Sequence, residues 1–203
     1  RNVDTGLHDN SNRDIHYPYQ TVKHIKAINN SIFRWEKIKL EFDFGFQHNF
    51  RQEWSQYVQH GYMPAIFPDS LDFNPDLERQ FNKYVFSGNV KSFYQLSDKI
   101  QFNIGLNNEL QDNQIDGRGF IIPAYKQFNL GGFIFAKHSF SDNGMIQAGI
   151  RYDYGSIAIA EYYDWFPSLV RTENDTIFQY LNRAADLIRV FSSISWSVGF
   201  NYN

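Results

Sequence analysis

The feature that most constrains this sequence is a strict alternation of apolar and polar residues. In residues 37–46 every second residue is Ile, Leu or Phe, and the residues between them are charged or glycine. A helix would scatter these apolar residues around its circumference, whereas successive side chains of a strand point to opposite faces. The segment therefore predicts a β-strand with one apolar face. We expect Phe42 and Phe44 to lie on that face and to meet lipid or another apolar layer.

The same alternation recurs often enough to predict about seven strands in an all-β chain. It is clear in residues 99–111, where Asn108 is the one polar residue on the apolar side, and again in residues 190–202. Less regular versions cover four further segments: residues 21–33, 81–96, 125–140 and 145–159. No stretch approaches the roughly 20 consecutive apolar residues that a transmembrane helix needs.

The predicted connections alternate between short and long. Short turns are expected at residues 34–36, 97–98 and 141–144, and the last of these ends in Asp-Asn-Gly, which suits a tight hairpin. Long loops are expected at about residues 55–80, 112–124 and 160–189. Bacterial outer-membrane barrels have short periplasmic turns and long extracellular loops. The alternation in length thus assigns the long loops to the outside.

Aromatic residues are the second unusual feature. Phe and Tyr number 20 and 13, although the chain is polar on average. Tyr and Trp gather near the ends of the predicted strands, where a membrane barrel places its aromatic girdles. The residues concerned are Trp35, Trp54, Tyr84, Tyr94, Tyr125, Tyr152, Tyr154 and Tyr202. Together with predicted strands of ten or more residues, they favour an antiparallel transmembrane β-barrel over a soluble β-sandwich.

Four segments carry a family resemblance, in order and in register. Residues 17–24, Tyr-Pro-Tyr-Gln-Thr-Val-Lys-His, look like a loop-to-strand entry. Residues 44–54 contain a glycine, a Gln-x-Asn and an Arg-x-Glu, as in an upward strand. The other two are Phe-Ile-Ile-Pro-Ala-Tyr at residues 120–125 and Gly-Ile-Arg-Tyr-Asp at residues 149–153. These segments resemble TonB-dependent outer-membrane receptors of the Bacteroidetes type.

That resemblance implies a bacterial outer-membrane transporter with a 22-stranded barrel around a plug domain. Such receptors bind a siderophore, cofactor or similar nutrient and import it with energy passed through TonB. Residues 1–203 contain no plug, so we expect part of the barrel domain only. The implied partners are outer-membrane lipid, the remaining barrel strands and plug of the receptor, TonB through the missing plug region, and a small nutrient ligand such as an iron chelate.

An odd number of strands cannot close a single-chain bacterial barrel, so the barrel is expected to be incomplete. The strands at residues 21–33 and 190–202 should then pair with missing strands of the same receptor or with another copy of the chain. Two other functions are kept open. One is a structural or adhesive outer-membrane barrel without active import, and the other is a soluble ligand-binding β-domain.

The sequence predicts no catalytic, cofactor-binding or metal-binding residue and no enzyme activity, and it leaves the ligand-binding residues undetermined. Cysteine is absent, and the six histidines form no ligand pair. His48 and Glu53 are separated by an odd number of residues, so a strand places them on opposite faces. Asp69, Asp72 and Asp76 lack the spacing of a calcium loop. A net charge of −3 gives no electrostatic reason to expect nucleic acid.

Three smaller features complete the expectations. The residues Gly117, Arg118 and Gly119 are too few for a phosphate-binding loop and predict a flexible loop tip. Arg151 and Asp153 share the polar side of one strand and predict an ion pair in the barrel interior, or one that faces a plug. Residues 178–189 have apolar residues at helical spacing and predict a short helix in an extracellular loop, with a ligand lid as the alternative.

Overall fold

The computed structural model describes residues 16–173 and 175–202, and these residues form nine β-strands without a helix. Among these residues no helix is long and apolar enough to cross a membrane. The strands are β1 Tyr19–Arg34, β2 Ile38–Trp54, β3 Leu77–Ser97, β4 Ile100–Asp116, β5 Tyr125–Ser139, β6 Gly144–Ile159, β7 Tyr162–Arg171, β8 Thr176–Ala184 and β9 Leu187–Tyr202.

Seven of these strands form one antiparallel sheet in the order β1-β2-β3-β4-β5-β6-β9. The seven strands predicted from alternation are confirmed, and most are longer than expected. β3 begins at Leu77 and β4 continues to Asp116, so the two neighbouring loops shrink to residues 55–76 and 117–124. Strands of 15 to 21 residues exceed the roughly 9–11 residues that cross a bilayer. The residues beyond that length lie at the end of the strands that carries the long loops, and there both faces carry polar residues.

Three tight turns join neighbouring strands at the other end of the sheet. The N–H of Trp35 donates to the carbonyl of Ile38 at 2.8 Å, and the N–H of Phe140 donates to the carbonyl of Gly144 at 3.1 Å. These bonds fix the registers β1–β2 and β5–β6, because a hairpin turn determines which residues face each other. The predicted alternation of short and long connections is therefore confirmed.

The prediction of a short helix at residues 178–189 is wrong. Residues 176–184 form β8, which pairs with β7, and residues from Leu187 onward belong to β9. Two patterns overlap in this segment: apolar residues at helical spacing, and a run of Ile177, Phe178 and Tyr180 that favours a strand. The strand forms because residues 168–171 of β7 offer consecutive backbone partners to residues 176–179, and such pairing overrides local propensity.

β7 and β8 are the bent tip of one long hairpin formed by β6 and β9. Ile159 pairs with Leu187 at the end of the main sheet, and Tyr162 pairs with Ala184 at the start of the tip. Between these pairs the ladder is interrupted, and the N–H of Ala160 instead donates to the carbonyl of Ala124 at 2.9 Å. The expected long loop at residues 160–189 is thus a folded hairpin that can reach the neighbouring loops.

The described residues leave the sheet open and uncovered. β1 and β9 lie at its two edges and do not pair with each other. The only buried hydrophobic residues are Met63 and Leu77, which lie in the long β2–β3 loop and at the start of β3, and no described side chain is fully buried. The small core of this chain is therefore in its loops and not on its sheet.

Candidate functional site

The strand register aligns apolar residues of six strands, β2 to β6 and β9, on one face, which we call the apolar face. On the edge strand β1 this face carries Asn29 and Ser31 beside Phe44 and Phe42. Following the pairing from Phe42 leads through Val90 and Leu106 to Tyr152 and Ile194. Large side chains on this face remain open to solvent: Leu106 is 59% exposed and Trp196 is 77% exposed. The predicted location of Phe42 and Phe44 on an apolar face is confirmed, and no second layer covers that face in the described residues.

The opposite face, the polar face, carries amides, hydroxyls and charges, with a few aromatic rings such as Phe133 and Phe135 between them. The expected ion pair lies here: Arg151 Nε donates to Asp153 Oδ2 at 2.7 Å, and its Nη2 donates to Asn107 Oδ1 at 2.9 Å. The guanidinium crosses β5 to reach β4, and it does so directly over Gly131. A Cβ at that glycine would lie 2.6 Å from the Asn107 oxygen, so the crossing needs a residue without a side chain. The network links β4 and β6 across the intervening strand β5.

Aromatic residues flank the apolar face near both strand ends. At the long-loop end the His48 and Tyr84 rings stack at 4.3 Å, and Tyr19 stacks on Trp54 at 6.1 Å. At the short-turn end Phe33 stacks on Trp35, and Phe140 stacks on Phe200. Tyr125 was predicted to be one of these aromatic residues, but it lies on the other face. Tyr125 pairs with Asn113 and Ile159 on the polar face, where its hydroxyl donates to Gln111 Oε1 at 3.3 Å.

The apolar band is oblique to the strands. The strand pairing that starts at Ile38 on β2 leads across the sheet to Val198 on β9. The apolar side of β9, however, ends in the aromatic residue Tyr202, which lies four residues further towards the short turns. Four residues span roughly 13 Å and five strand spacings roughly 24 Å, so the band is inclined by about 30°. The pairing that starts at Tyr84 on β3 shows a shift in the same direction. It leads to Ala158 on β6, whereas the aromatic residue of that strand is Tyr154, four residues further towards the short turns. Strands of membrane barrels tilt by about 35–45°.

An aromatic cluster joins the long loops at their end of the sheet. The Trp165 ring of β7 lies 5.2 Å from Phe67, which in turn lies 5.2 Å from Phe73 and 5.5 Å from Tyr57. The indole N–H of Trp165 donates to the carbonyl of Arg118 at 3.0 Å. We call these residues, with Arg118, the loop cluster. It attaches the bent hairpin to both long loops.

Arg118 holds the loop cluster together. Its guanidinium lies 5.7 Å from the centre of the Tyr57 ring and donates to the carbonyl of Ser55 at 3.1 Å. Its backbone N–H donates to the carbonyl of Leu77 at 3.1 Å. The predicted flexible tip at Gly117–Arg118–Gly119 is therefore wrong, because these residues pack against the start of β3. Sequence reasoning also missed Trp165, since no local pattern relates these residues to one another.

Charged and phenolic groups fix the base of the bent hairpin. Arg183 Nε donates to Asp164 Oδ2 at 2.9 Å, and Asp164 is 8% exposed. This hydrogen bond raises the pKa of Arg183. Burial, with a smaller contribution from the Asp164 charge, raises the pKa of the Tyr162 phenol. Tyr162 also stacks on Phe120 at 4.5 Å, so the hairpin contacts the β4–β5 loop twice.

The residues considered for chemistry are not brought together. His48 lies on the apolar face with its Nε2 2.8 Å from Asn82 Oδ1, whereas Glu53 lies on the polar face and pairs with Arg79. Among residues 16–173 and 175–202 no three His, Asp or Glu side chains are placed to hold a metal ion. Asp76 accepts a hydrogen bond from the N–H of Tyr57 at 2.8 Å, which orders the β2–β3 loop. His8 lies outside the described residues.

The open apolar face, the networked polar face and the loop cluster are thus the surfaces through which this chain can act. Comparisons with models of protein families, with curated proteins and with solved structures gave no match.

Proposed function

We propose that this chain is part of the wall of a bacterial outer-membrane β-barrel, and that the complete barrel is a TonB-dependent receptor that imports a siderophore, cofactor or similar nutrient. One observation carries the barrel assignment. Six adjacent strands, β2 to β6 and β9, expose large apolar side chains on one side of the sheet and a hydrogen-bonded polar face on the other. Lipid on the first face and a hydrated interior on the second is the arrangement of transmembrane barrels.

The extent of the apolar face argues against a soluble domain. A soluble monomer rarely exposes contiguous apolar patches larger than a few hundred Å². Here the patch crosses six strands, from Phe44 on β2 to Phe200 on β9, and both residues are more than half exposed. A soluble β-sandwich would need a second layer on this face. The inclination of the band and its aromatic ends fit a bilayer better than a packed layer.

The two free edges require partner strands under this proposal. An unpaired backbone N–H or C=O in hydrocarbon costs several kcal/mol, so an open edge is not tolerated there. β1 and β9 each offer such an edge. The partners are further strands of the same receptor or another copy of the chain. With those strands present, the polar face would surround an interior that holds the plug.

The import function rests on the family resemblance and on the loop cluster. In a receptor of this type the ligand is met outside the membrane, and the loop cluster is the place where the long connections of this chain pack against one another. Tyr62 and Tyr163 are both about half exposed beside it. The alternative is a structural or adhesive barrel. The exposed rings of Phe178 and Tyr180 on β8 favour that function, because exposed aromatic rings can bind the surface of another molecule.

Sidedness can be tested with single cysteines, since the chain has none of its own. A cysteine at Asp69, in the β2–β3 loop, should react with a membrane-impermeant maleimide on intact cells. A cysteine at Asp142, in the β5–β6 turn, should react only after the outer membrane is opened. The reverse pattern would contradict the topology, and equal labelling of both sites in a soluble fraction would contradict membrane insertion.

Import can be tested by deleting the gene that carries this sequence. We expect uptake of at least one labelled nutrient, from a panel of ferric chelates and cobalamin, to fall to background and to depend on TonB and the proton gradient. Restoring the gene should restore uptake. Unchanged uptake of the whole panel, together with loss of surface attachment, would support the adhesive alternative.

A further inference from the structure

The two edge strands of the sheet, β1 and β9, run in the same direction. Each of the strand pairings that lead from β1 through β6 to β9 is antiparallel, and the direction is reversed an even number of times. Both edge strands therefore descend, which here means that they run from the end of the sheet with the long loops to the end with the short turns. This shared direction limits which strand can complete either edge.

Both edges are open along whole strands. β1 and β9 are each 16 residues long, and each pairs on one side only within the described part of the chain. In an edge strand of an antiparallel sheet about every second residue turns its N–H and C=O away from the neighbouring strand. Roughly ten residues of such a strand cross the hydrocarbon, so about ten groups on each edge would lack a partner there. Lipid tails offer no hydrogen bonds, and another strand has to lie along each edge.

A second copy of this chain cannot complete either edge with antiparallel pairing. Copies in one membrane have the same sidedness, with the long loops on one side and the short turns on the other. When β9 of one copy lies beside β1 of the next, two descending strands meet and their pairing is parallel. Antiparallel pairing would require one copy to be inverted, with its long loops on the opposite side. Bacterial single-chain barrels are antiparallel, and parallel pairing is slightly less stable per residue.

We infer that both edges of this sheet pair with further strands of the same polypeptide, that the strands next to β1 and β9 ascend, and that the further strands are odd in number. The inference rests on the proposed membrane location, and it selects further strands of the receptor over another copy of the chain. An odd number of further strands gives the even total that bacterial barrels have.

The ends of the edge strands agree with this arrangement. An ascending strand beside β1 would finish at the long-loop end, where the backbone enters β1. There Tyr17 stacks on Tyr19 at 5.4 Å, and Tyr19 stacks on Trp54 at 6.1 Å, which places the entry to β1 beside the last residue of β2. An ascending strand beside β9 would start at the short-turn end, where β9 finishes at Tyr202. Both junctions can therefore be hairpins between strands that follow each other in sequence, as antiparallel strands allow.

The test places photoreactive p-benzoylphenylalanine at Ile25 of β1 or at Val198 of β9 in the full protein that carries this sequence. Both side chains lie on the apolar side of the sheet and are more than half exposed, so a larger group can be accommodated. Two differently tagged versions are made in the same cells, outer membranes are irradiated, and cross-links are mapped by mass spectrometry. We expect cross-links within one polypeptide, to peptides outside residues 1–203, and no covalent dimer of the two versions.

Leu130 of β5 is the control position, because it lies on the same face between Asn108 of β4 and Tyr154 of β6. Protein cross-links from this position should all be to peptides of those two strands. A covalent dimer that joins β1 of one copy to β9 of another would overturn the inference and leave the barrel proposal intact, and so would cross-links from both edges to lipid alone. An even number of further strands in a structure of the full protein would have the same meaning. A soluble protein without lipid cross-links from any position would overturn both.

Discussion

Replacing Leu106 by arginine is expected to lower the free energy of unfolding in a lipid bilayer by about 2–4 kcal/mol. Leu106 lies in the middle of the apolar face and is 59% exposed, so little packing is lost with its side chain. The cost comes from placing a guanidinium in hydrocarbon. A urea titration of the protein in phospholipid vesicles, followed by tryptophan fluorescence, measures it.

Asn103→Arg is the control for this variant, because Asn103 is on the same strand and faces the polar side. We expect the control to change the free energy of unfolding by no more than about 0.5 kcal/mol, as for an ordinary surface substitution. If Leu106→Arg is equally harmless, the apolar face meets water and the barrel proposal is wrong. The pair of variants thus separates a membrane face from an exposed but hydrated sheet.

Replacing Trp165 by alanine is expected to release the bent hairpin from the loops. Large aromatic residues in a core contribute about 3–5 kcal/mol, and Trp165 is only half-buried, so about 2–4 kcal/mol is expected. The loss should be local, since the loop cluster contacts the sheet only at its end. Amide hydrogen exchange in residues 55–76 should then become roughly 30- to 1000-fold faster.

Trp196→Ala is the matched control for this second variant. Trp196 is on the apolar face of β9, is 77% exposed and pairs with Ile150 in the middle of β6. Its replacement should leave exchange in residues 55–76 unchanged. Equal exchange in Trp165→Ala and the parent would show that the aromatic contacts do not hold the β2–β3 loop, and that Arg118 and the Asp76 hydrogen bond suffice.

If the chain is part of a barrel as proposed, the loop cluster determines which surface the barrel presents on its outside. The hairpin β7–β8 bends at the Ala160 and Asp186 region and brings Trp165 and Tyr162 against two loops. A ligand or partner would therefore meet a folded surface rather than three independent loops. Loss of Trp165 should affect ligand capture before it affects the sheet, which makes the variant useful in the uptake assay as well.

The sequence by itself determined the strands and their faces. Alternation is a local property with a period of two, and a strand converts it directly into one apolar and one polar side. For this reason Phe42 and Phe44 on the apolar face, Arg151 with Asp153 on the polar face, and the opposed positions of His48 and Glu53 could all be predicted. The turns could be located as well, because their residues are next to each other in sequence.

Only the tertiary structure decided which segments meet. Tyr125 was expected at an interface, but the register of β5 places it on the polar face, and a shift of one residue is enough to exchange the faces. Residues 178–189 carry both a helical and a strand pattern, and the backbone partners offered by β7 selected the strand. The contact of Arg118 with Ser55 joins residues 63 positions apart, and that of Arg151 with Asn107 joins residues 44 positions apart. Such contacts have no local period, so they become visible only once the chain has folded.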